Sequence, residues 1–107
     1  METSPKAYGV WLTKPAKKDR DDLRGWEDRI NDELLVLENA PYQGHSLKGS
    51  LQGIRSLEFS LAGTAYRAAY VVLEEKREIV VIMIGAHEGF YQKAQRRAEG
   101  LKRSGTI

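Results

Sequence analysis

The hydrophobic positions of this chain are most concentrated in two runs near its middle, which a short charged segment separates. The first run covers residues 66–73 and the second covers residues 79–84, and every position of the second run is apolar. Two such runs around a five-residue polar break predict a β-hairpin. Because unbroken apolarity is typical of a strand that is covered on both faces, we expect residues 79–84 to form a central strand.

The remaining pattern predicts a strand, two helices, another strand and a final helix. Apolar and polar side chains alternate over residues 7–13 and again over 54–61, as in strands with one buried face. Between them, apolar residues recur at intervals of three and four from Leu23 onward, and residues 15–39 are predicted to form a helical hairpin in which Gly25 separates two helices or marks a bend. A narrower stripe over residues 87–103 predicts the final helix. The two stripes consist of Leu23, Trp26, Ile30, Leu34 and Leu37, and of Phe90, Ala94, Ala98 and Leu101.

The order of these elements predicts an α+β fold. Residues 40–53 contain three glycines and a proline, which favours a loop with a short strand near Leu47. The complete order is β-α-α-β-β-β-α, in which an antiparallel meander carries the helical hairpin on one face and a helix ends the chain. A length of 107 residues fits a single domain over residues 1–107, and we expect residues 1–5 to be a frayed end.

The central hairpin brings two polar side chains close to each other. A hairpin that is symmetric about its charged break pairs Leu73 with Ile79 and Arg67 with Gly85. His87 follows Gly85 by two residues and so lies on the same side of the sheet as Arg67. We therefore expect a candidate site where the strand that carries the arginine passes the end of the next strand.

The preceding hairpin determines which further side chains share that face. If its turn is centred on Gly63, Phe59 pairs with Arg67 and Arg55 lies on the same face as Arg67. Glu58 then points to the opposite face, where it is a poor candidate for a general base unless the register shifts by one residue.

Three residues of this region are candidates for a catalytic or ligand-binding role, and each could instead have a purely structural role. Arg67 stands among apolar and aromatic neighbours; it either pairs with a carboxylate such as Glu88 or holds a phosphate oxygen. His87 can transfer a proton near neutral pH, or it caps a helix. Tyr91 lies one helical turn later, where it stacks on an unpaired base or packs in the core.

Composition narrows the possible functions. The chain has no cysteine, which excludes disulfide bonds and thiolate zinc sites. Its two histidines, His45 and His87, lack metal-ligand spacing, and the sequence has no phosphate-binding glycine motif, so we expect neither a metal nor a small-molecule cofactor. No apolar run resembles a signal peptide or approaches the roughly 18 residues that span a membrane; we expect a cytoplasmic protein with no membrane partner. A net charge of +2 does not by itself indicate a nucleic-acid partner.

Four short sequences together resemble the RelE/ParE superfamily of type II toxins. They are Leu-Lys-Gly-Ser at 47–50, Gly-Ile-Arg-Ser-Leu at 53–57, Tyr-Arg-Ala-Ala-Tyr at 66–70 and Gly-Ala-His-Glu-Gly-Phe-Tyr at 85–91. The match spans about residues 44–97. The Leu-Lys-Gly loop and the Tyr-Arg-x-x-Tyr strand are each weak alone, but their combination is fairly specific. The predicted element order extends the resemblance over the whole chain.

The resemblance implies a toxin that cuts messenger RNA in the ribosomal A site without a metal, by attack of a ribose 2′-hydroxyl on the adjacent phosphate. It also implies an antitoxin that covers the basic cleft of the toxin. Within the matching motifs, Arg67 would hold the scissile phosphate, His87 would protonate the leaving group and Tyr91 would orient the base. Lys48 and Arg55 would be electrostatic contacts to RNA.

The final helix is basic on its polar side. Its cations would contact RNA or the antitoxin, or are simply solvated as on many surface helices. The residues assigned to RNA are Lys93, Arg96 and Arg97, and Lys102 and Arg103 are further cations of the same helix.

Two departures from the family pattern keep other functions open. Many members have Glu-Leu-Arg in the strand before the Tyr-Arg motif, whereas this chain has Ser-Leu-Glu at residues 56–58. The interval between His87 and Tyr91 is also shorter than in the best-known RelE branch. The alternatives are a ParE-like poison of DNA gyrase without enzymatic activity, and a degenerate member that binds only its antitoxin.

Overall fold

A computed structural model describes residues 7–107, and the predicted frayed end at residues 1–5 lies outside this range. The described part consists of five strands and three α-helices, with two short 3₁₀ turns at Val36–Glu38 and Gly49–Leu51. The strands are β1 (Gly9–Leu12), β2 (His45–Ser46), β3 (Arg55–Leu61), β4 (Thr64–Leu73) and β5 (Glu78–Ala86); the helices are α1 (Lys14–Asp22), α2 (Glu27–Leu35) and α3 (Phe90–Arg103).

The five strands form one mostly antiparallel sheet in the order β1-β5-β4-β3-β2. Strand β1 pairs in parallel with β5, and the other neighbours are antiparallel. The predicted α+β fold is thereby confirmed, including the meander of β3, β4 and β5. The short strand expected near Leu47 is β2, which ends one residue before it.

Strand β5 is central and covered on both faces, as its unbroken apolarity predicts. Ile79 and Val81 pack into a core beneath α1 and α2, whereas Ile82 and Met83 pack on the opposite face beneath α3. The helical hairpin and the C-terminal helix therefore sandwich the sheet, and each helix buries one stripe against it.

The helices begin and end where local chemistry dictates. The Thr13 hydroxyl caps α1 by accepting a hydrogen bond from the Ala16 amide at 3.3 Å. Gly25 separates α1 from α2 with a φ of +86°, a conformation that favours glycine. The predicted stripe of α3 is buried as expected, and its members are Phe90, Ala94, Ala98 and Leu101.

The hairpin between β4 and β5 follows the predicted register only near the candidate site. Arg67 pairs with Gly85 as expected, but Leu73 pairs with Glu78, so the prediction that it faces Ile79 is wrong. A β-bulge between Ala69 and the next residue shifts the register by one. The assumption of a hairpin symmetric about its charged break therefore predicts the correct pairs only from the bulge to the candidate site, and not from the bulge to the turn.

The register between β3 and β4 differs from the prediction by one residue. Arg67 pairs with Glu58, not with Phe59, because the turn has two residues, Ala62 and Gly63, both with positive φ (51° and 82°). Such two-residue turns match the twist of hairpins, whereas a turn centred on one glycine has an odd number of residues. Because one step exchanges the faces of a strand, Glu58 lies on the face of Arg67.

Candidate active site

Arg67 is the centre of a polar cluster at the edge of the α3 face. Its guanidinium donates from Nε to Nδ1 of His87 at 3.1 Å and from Nη1 to the Tyr91 hydroxyl at 2.6 Å. Its Nη2 lies 3.3 Å from Oε2 of Glu58. The partners come from three places: strand β3, the loop after β5, and the first turn of α3. The arginine predicted as the key residue is thus oriented by three separate elements.

The guanidinium has donors left for a ligand. Arginine carries five N–H groups in a planar fork; one donates to His87 and one to Tyr91, and Nη2 forms an ion pair with Glu58. The other N–H groups form no hydrogen bond within residues 7–107. The Arg67 side chain is only 15% exposed, so a bound phosphate oxygen would meet a cation that is partly shielded from water, which strengthens the attraction. The cluster can therefore hold a phosphate oxygen.

His87 is oriented as a proton donor. Because its Nδ1 accepts the Arg67 hydrogen bond, the ring proton of the neutral imidazole lies on Nε2. The backbone also fixes the residue, since its amide donates to the Ala65 carbonyl at 3.2 Å. Gly89, with a φ of +68°, allows the chain to turn from this loop into α3. The side chain is exposed and accessible to a substrate.

Tyr91 presents an aromatic face next to the arginine. Tyr91 is 44% exposed, and the Arg67 guanidinium lies 5.4 Å from its ring centre. The edge of the ring packs against buried Phe90, which holds its orientation. An exposed, oriented ring of this kind can stack on an unpaired base.

Lys48 shares a cavity of about 360 Å³ with Tyr91. The side chains of Leu47 and Leu51 also line it and are buried in the core beneath α3. An aromatic wall, an aliphatic lining and a cation at the rim suit a nucleotide, whose base is flat and apolar and whose phosphate is charged.

The other predicted contacts are not part of this cluster. Arg55 pairs with Tyr70 across the sheet, so the prediction that it shares the face of Arg67 is wrong. Arg97 binds Asp19 with an N–O distance of 2.9 Å and donates to the Ile82 carbonyl, and it is therefore engaged within the protein.

A separate open cleft of about 430 Å³ lies between α1 and α3. Lys93 and Arg96 line it together with Asp19 and Arg97. The predicted basic side of α3 therefore does not face the same cavity as Tyr91.

Glu58 is the functional candidate that the sequence reasoning placed on the wrong face. Its carboxylate, and not that of Glu88, is the one that pairs with Arg67. The two-residue turn at Ala62 and Gly63, where both φ angles are positive, sets the register that places Glu58 there, whereas the Ala-Gly sequence alone also fits a turn centred on Gly63.

Within residues 7–107, no group of three or more histidine, aspartate or glutamate side chains is arranged to hold a metal ion. No α-helix in the same range is long and apolar enough to cross a bilayer.

The sequence matches a family model over most of its length. The model is that of the ParE-like toxin of type II bacterial toxin–antitoxin systems, and it matches residues 13–95. None of the curated proteins matches the chain.

Solved structures of toxins have the same fold. A chain of the RelBE2 toxin–antitoxin complex of Mycobacterium tuberculosis is 24% identical, with a TM-score of 0.64 over 76% of this chain and 99% of that one. A mutant of Escherichia coli RelE in the free state is 22% identical, with a TM-score of 0.65 over 83% and 93%. A mutant of the same toxin in complex with a RelB antitoxin peptide is 26% identical, with a TM-score of 0.61 over 82% and 94%.

Proposed function

This chain belongs to the ParE-like toxins of type II bacterial toxin–antitoxin systems, and we propose that it acts as a ribosome-dependent endoribonuclease. The observation that carries the proposal is the Arg67 cluster. It joins a phosphate-binding cation to an imidazole and an exposed aromatic ring within hydrogen-bonding distance. A binding surface alone has no need of a group that transfers protons.

The proposed reaction needs a base, an acid and a stabiliser of negative charge. Glu58 accepts the proton of the ribose 2′-hydroxyl, whose oxygen attacks the adjacent phosphorus. Arg67 binds the phosphate oxygens, on which charge builds up. His87 gives a proton to the departing 5′-oxygen. The products are a 2′,3′-cyclic phosphate and a 5′-hydroxyl, so the reaction consumes no water and no cofactor.

The hydrogen bond between Arg67 and His87 links phosphate binding to proton transfer. While Arg67 donates to Nδ1, that nitrogen carries no proton. A phosphate that also accepts from Nε of Arg67 would free Nδ1 to take a proton, while Nε2 gives its proton to the departing 5′-oxygen. One acid or base group contributes about 10²- to 10⁴-fold to such a reaction.

The RNA would approach along the Lys48 and Tyr91 cavity. Tyr91 stacks on the base next to the cut, and Lys48 attracts a neighbouring phosphate. Lys93 and Arg96 are exposed cations that can contact RNA further along α3. Orientation of the message by the ribosome would supply much of the remaining rate enhancement. The site of action is the bacterial cytoplasm, where ribosomes and messages are present.

We further propose that a cognate antitoxin binds this protein. Structures with the same fold include a toxin in complex with a RelB peptide and a RelBE2 toxin–antitoxin complex. The antitoxin would keep the toxin inactive until it is released.

The test uses purified protein with ribosomes that carry a defined message. We expect fragments that end in a 2′,3′-cyclic phosphate and a 5′-hydroxyl. Arg67→Ala and His87→Ala should each lower the cleavage rate at least about 100-fold, while Lys76→Ala, on the exposed turn between β4 and β5, should cleave normally. Full activity of both site variants, or fragments with 5′-phosphates, would refute the mechanism.

The ParE-like family model favours a second candidate, a non-enzymatic poison of DNA gyrase. This function depends on binding a protein and requires no proton transfer. It therefore does not explain why Arg67 and His87 lie together. The nucleic acid that is broken distinguishes the two candidates, because a gyrase poison breaks DNA and leaves messages intact.

A further inference from the structure

The segment Pro41–Gly44 is tied to the sheet by two side chains from the face opposite Arg67. The hydroxyl of buried Tyr70 accepts a hydrogen bond from the Gly44 amide and donates one to the Pro41 carbonyl, both at 2.9 Å. The Arg55 guanidinium donates to the carbonyls of Tyr42 at 3.1 Å and Gly44 at 2.6 Å. Together, these two side chains satisfy four backbone groups of the segment.

This attachment is specific in its geometry. Arg55 and Tyr70 are cross-strand partners in β3 and β4, so they act from adjacent positions on one face. A Cβ added to Gly44 would lie 2.5 Å from the Ser56 carbonyl oxygen and 2.9 Å from the Tyr70 hydroxyl. Only glycine allows the backbone to come this close to the sheet. The Arg55 guanidinium also lies 5.2 Å from the centre of the Tyr42 ring.

The attached segment leads directly into the residues that border the nucleotide cavity. Strand β2 begins at His45, immediately after Gly44, and Ser46, Leu47 and Lys48 line the cavity that they share with Tyr91. The chain passes from one face of the sheet to the other over these few residues. A fixed starting point at Gly44 therefore limits where Lys48 can lie.

We infer that Tyr70 and Arg55 are positioning residues that hold Lys48 beside Tyr91 for RNA binding. The inference rests on the proposed function, because the bound ligand is the RNA of that reaction. Arg55 does not face the Arg67 cluster. In this inference it acts on the RNA site indirectly, through its hydrogen bonds to the Pro41–Gly44 segment. It also explains why a second tyrosine follows Arg67 by three residues, since the Tyr70 hydroxyl is what holds the segment.

The experiment compares Tyr70→Phe with Tyr66→Phe in the full chain. The first change removes the two hydrogen bonds and keeps the buried ring. The second removes the hydroxyl of a half-buried tyrosine of the same strand, whose ring stacks on Phe59. In Tyr70→Phe, amide exchange should accelerate about 10-fold at Gly44, which loses its acceptor, and at Leu47, whose amide donates to the Ile54 carbonyl at 2.9 Å. KM for ribosome-bound message should rise about 2- to 10-fold, with kcat within about twofold of wild type.

A double-mutant cycle with Lys48→Ala shows whether Tyr70 acts through the lysine. If it does, Tyr70→Phe should raise KM in the wild-type background and have little further effect once Lys48 is truncated. Arg55→Gln removes the other anchor and should shift exchange and KM in the same direction.

Two results would overturn the inference. One is an unchanged exchange rate at Gly44 and Leu47 in both Tyr70→Phe and Arg55→Gln. The other is an equal rise in KM with and without Lys48. If the wild-type protein cleaves no RNA, the proposed function fails and the RNA-binding role fails with it, while the exchange data still report separately whether Tyr70 anchors the segment.

Discussion

Arg67 keeps its orientation because three side chains contact its guanidinium. Each of them makes a single contact, so part of the guanidinium remains accessible to a ligand. His87, Tyr91 and Glu58 each take one contact. The carboxylate lowers the cost of placing a cation that is only 15% exposed. The N–H groups that form no hydrogen bond among residues 7–107 are available to the phosphate oxygen of the proposed reaction. The cation would then not have to be ordered when that ligand arrives.

At this scale, Glu58→Gln distinguishes a catalytic base from a simple partner of Arg67. The amide keeps the size of the side chain but cannot accept the 2′-hydroxyl proton. We expect the rate of cleavage on the ribosome to fall about 10²- to 10⁴-fold, with ribosome binding unchanged. Single-turnover rates on programmed ribosomes measure the effect.

Glu88→Gln is the matched control for that change. Glu88 is exposed and directly follows His87, and it forms no salt bridge with any other residue of the range 7–107, so its variant should cleave at the wild-type rate. A Glu58→Gln protein that cleaves as fast as wild type, or faster, would contradict the role of Glu58 as base. A faster variant would show that the carboxylate restrains Arg67.

The sequence alone could predict part of this cluster. It places Arg67 opposite Gly85 and His87 two residues further on, and the structure brings both together with Tyr91 as expected; their catalytic roles stay a prediction. It could not place Glu58, because the alternation of apolar side chains around β3 fits either centre of the turn. The positive φ angles at Ala62 and Gly63 decide the register, and a shift of one residue moves a side chain to the other face.

Among the elements, α3 is held in place by polar contacts as well as by its apolar stripe. Strand β1 ends at Leu12, opposite Val81, and within residues 7–107 no strand continues along the outer edge of β5. Asp19 accepts a hydrogen bond from the Ile84 amide at 3.0 Å, and Arg97 donates to the Ile82 carbonyl at 2.8 Å. The two side chains also pair with each other, so they link α1, β5 and α3.

Arg97→Ala should therefore lower the free energy of unfolding. If Arg97 served only to contact RNA, the same change would weaken RNA binding and leave the stability of the fold unchanged. The change removes the cation that pairs with Asp19, which keeps only its hydrogen bond from the Ile84 amide, and removes the side-chain donor to the Ile82 carbonyl. Because both charged side chains are partly exposed, we expect a loss of about 1–3 kcal/mol in the free energy of unfolding, measured by urea denaturation.

Arg96→Ala provides the comparison for Arg97→Ala. Arg96 is exposed on the neighbouring position of α3, and its variant should stay within about 0.5 kcal/mol of wild type. Equal stability of the two variants would show that the Asp19–Arg97 pair contributes nothing to the position of α3.

The elements themselves could be predicted more completely than their pairing. The apolar stripes identified α2 and α3, and the unbroken run identified β5 as central. The bulge after Ala69 could not be foreseen, since the run of apolar residues in β4 and β5 fits either register. Asp19 was also missed, because its role depends on β1 being shorter than β5.

In the whole molecule, the two faces of the sheet are covered to different extents. The helical hairpin of α1 and α2 covers one face with a continuous core. Helix α3 covers only part of the other face and leaves the cluster of Arg67, Glu58 and His87 accessible at its N-terminal end. The Pro41–Gly44 attachment acts from the covered face and sets the border of the open one. A small protein with a net charge of +2 thus has a local, partly shielded cation at its surface.

The most direct test of RNA cleavage is to map the 5′ ends of cellular RNA after the protein is induced without an antitoxin, and to assay DNA breaks in the same cells. Wild type should produce new 5′-hydroxyl ends within translated messages and arrest growth, while Arg67→Ala and His87→Ala produce neither. Intact messages together with broken DNA would contradict the account and identify a gyrase poison instead.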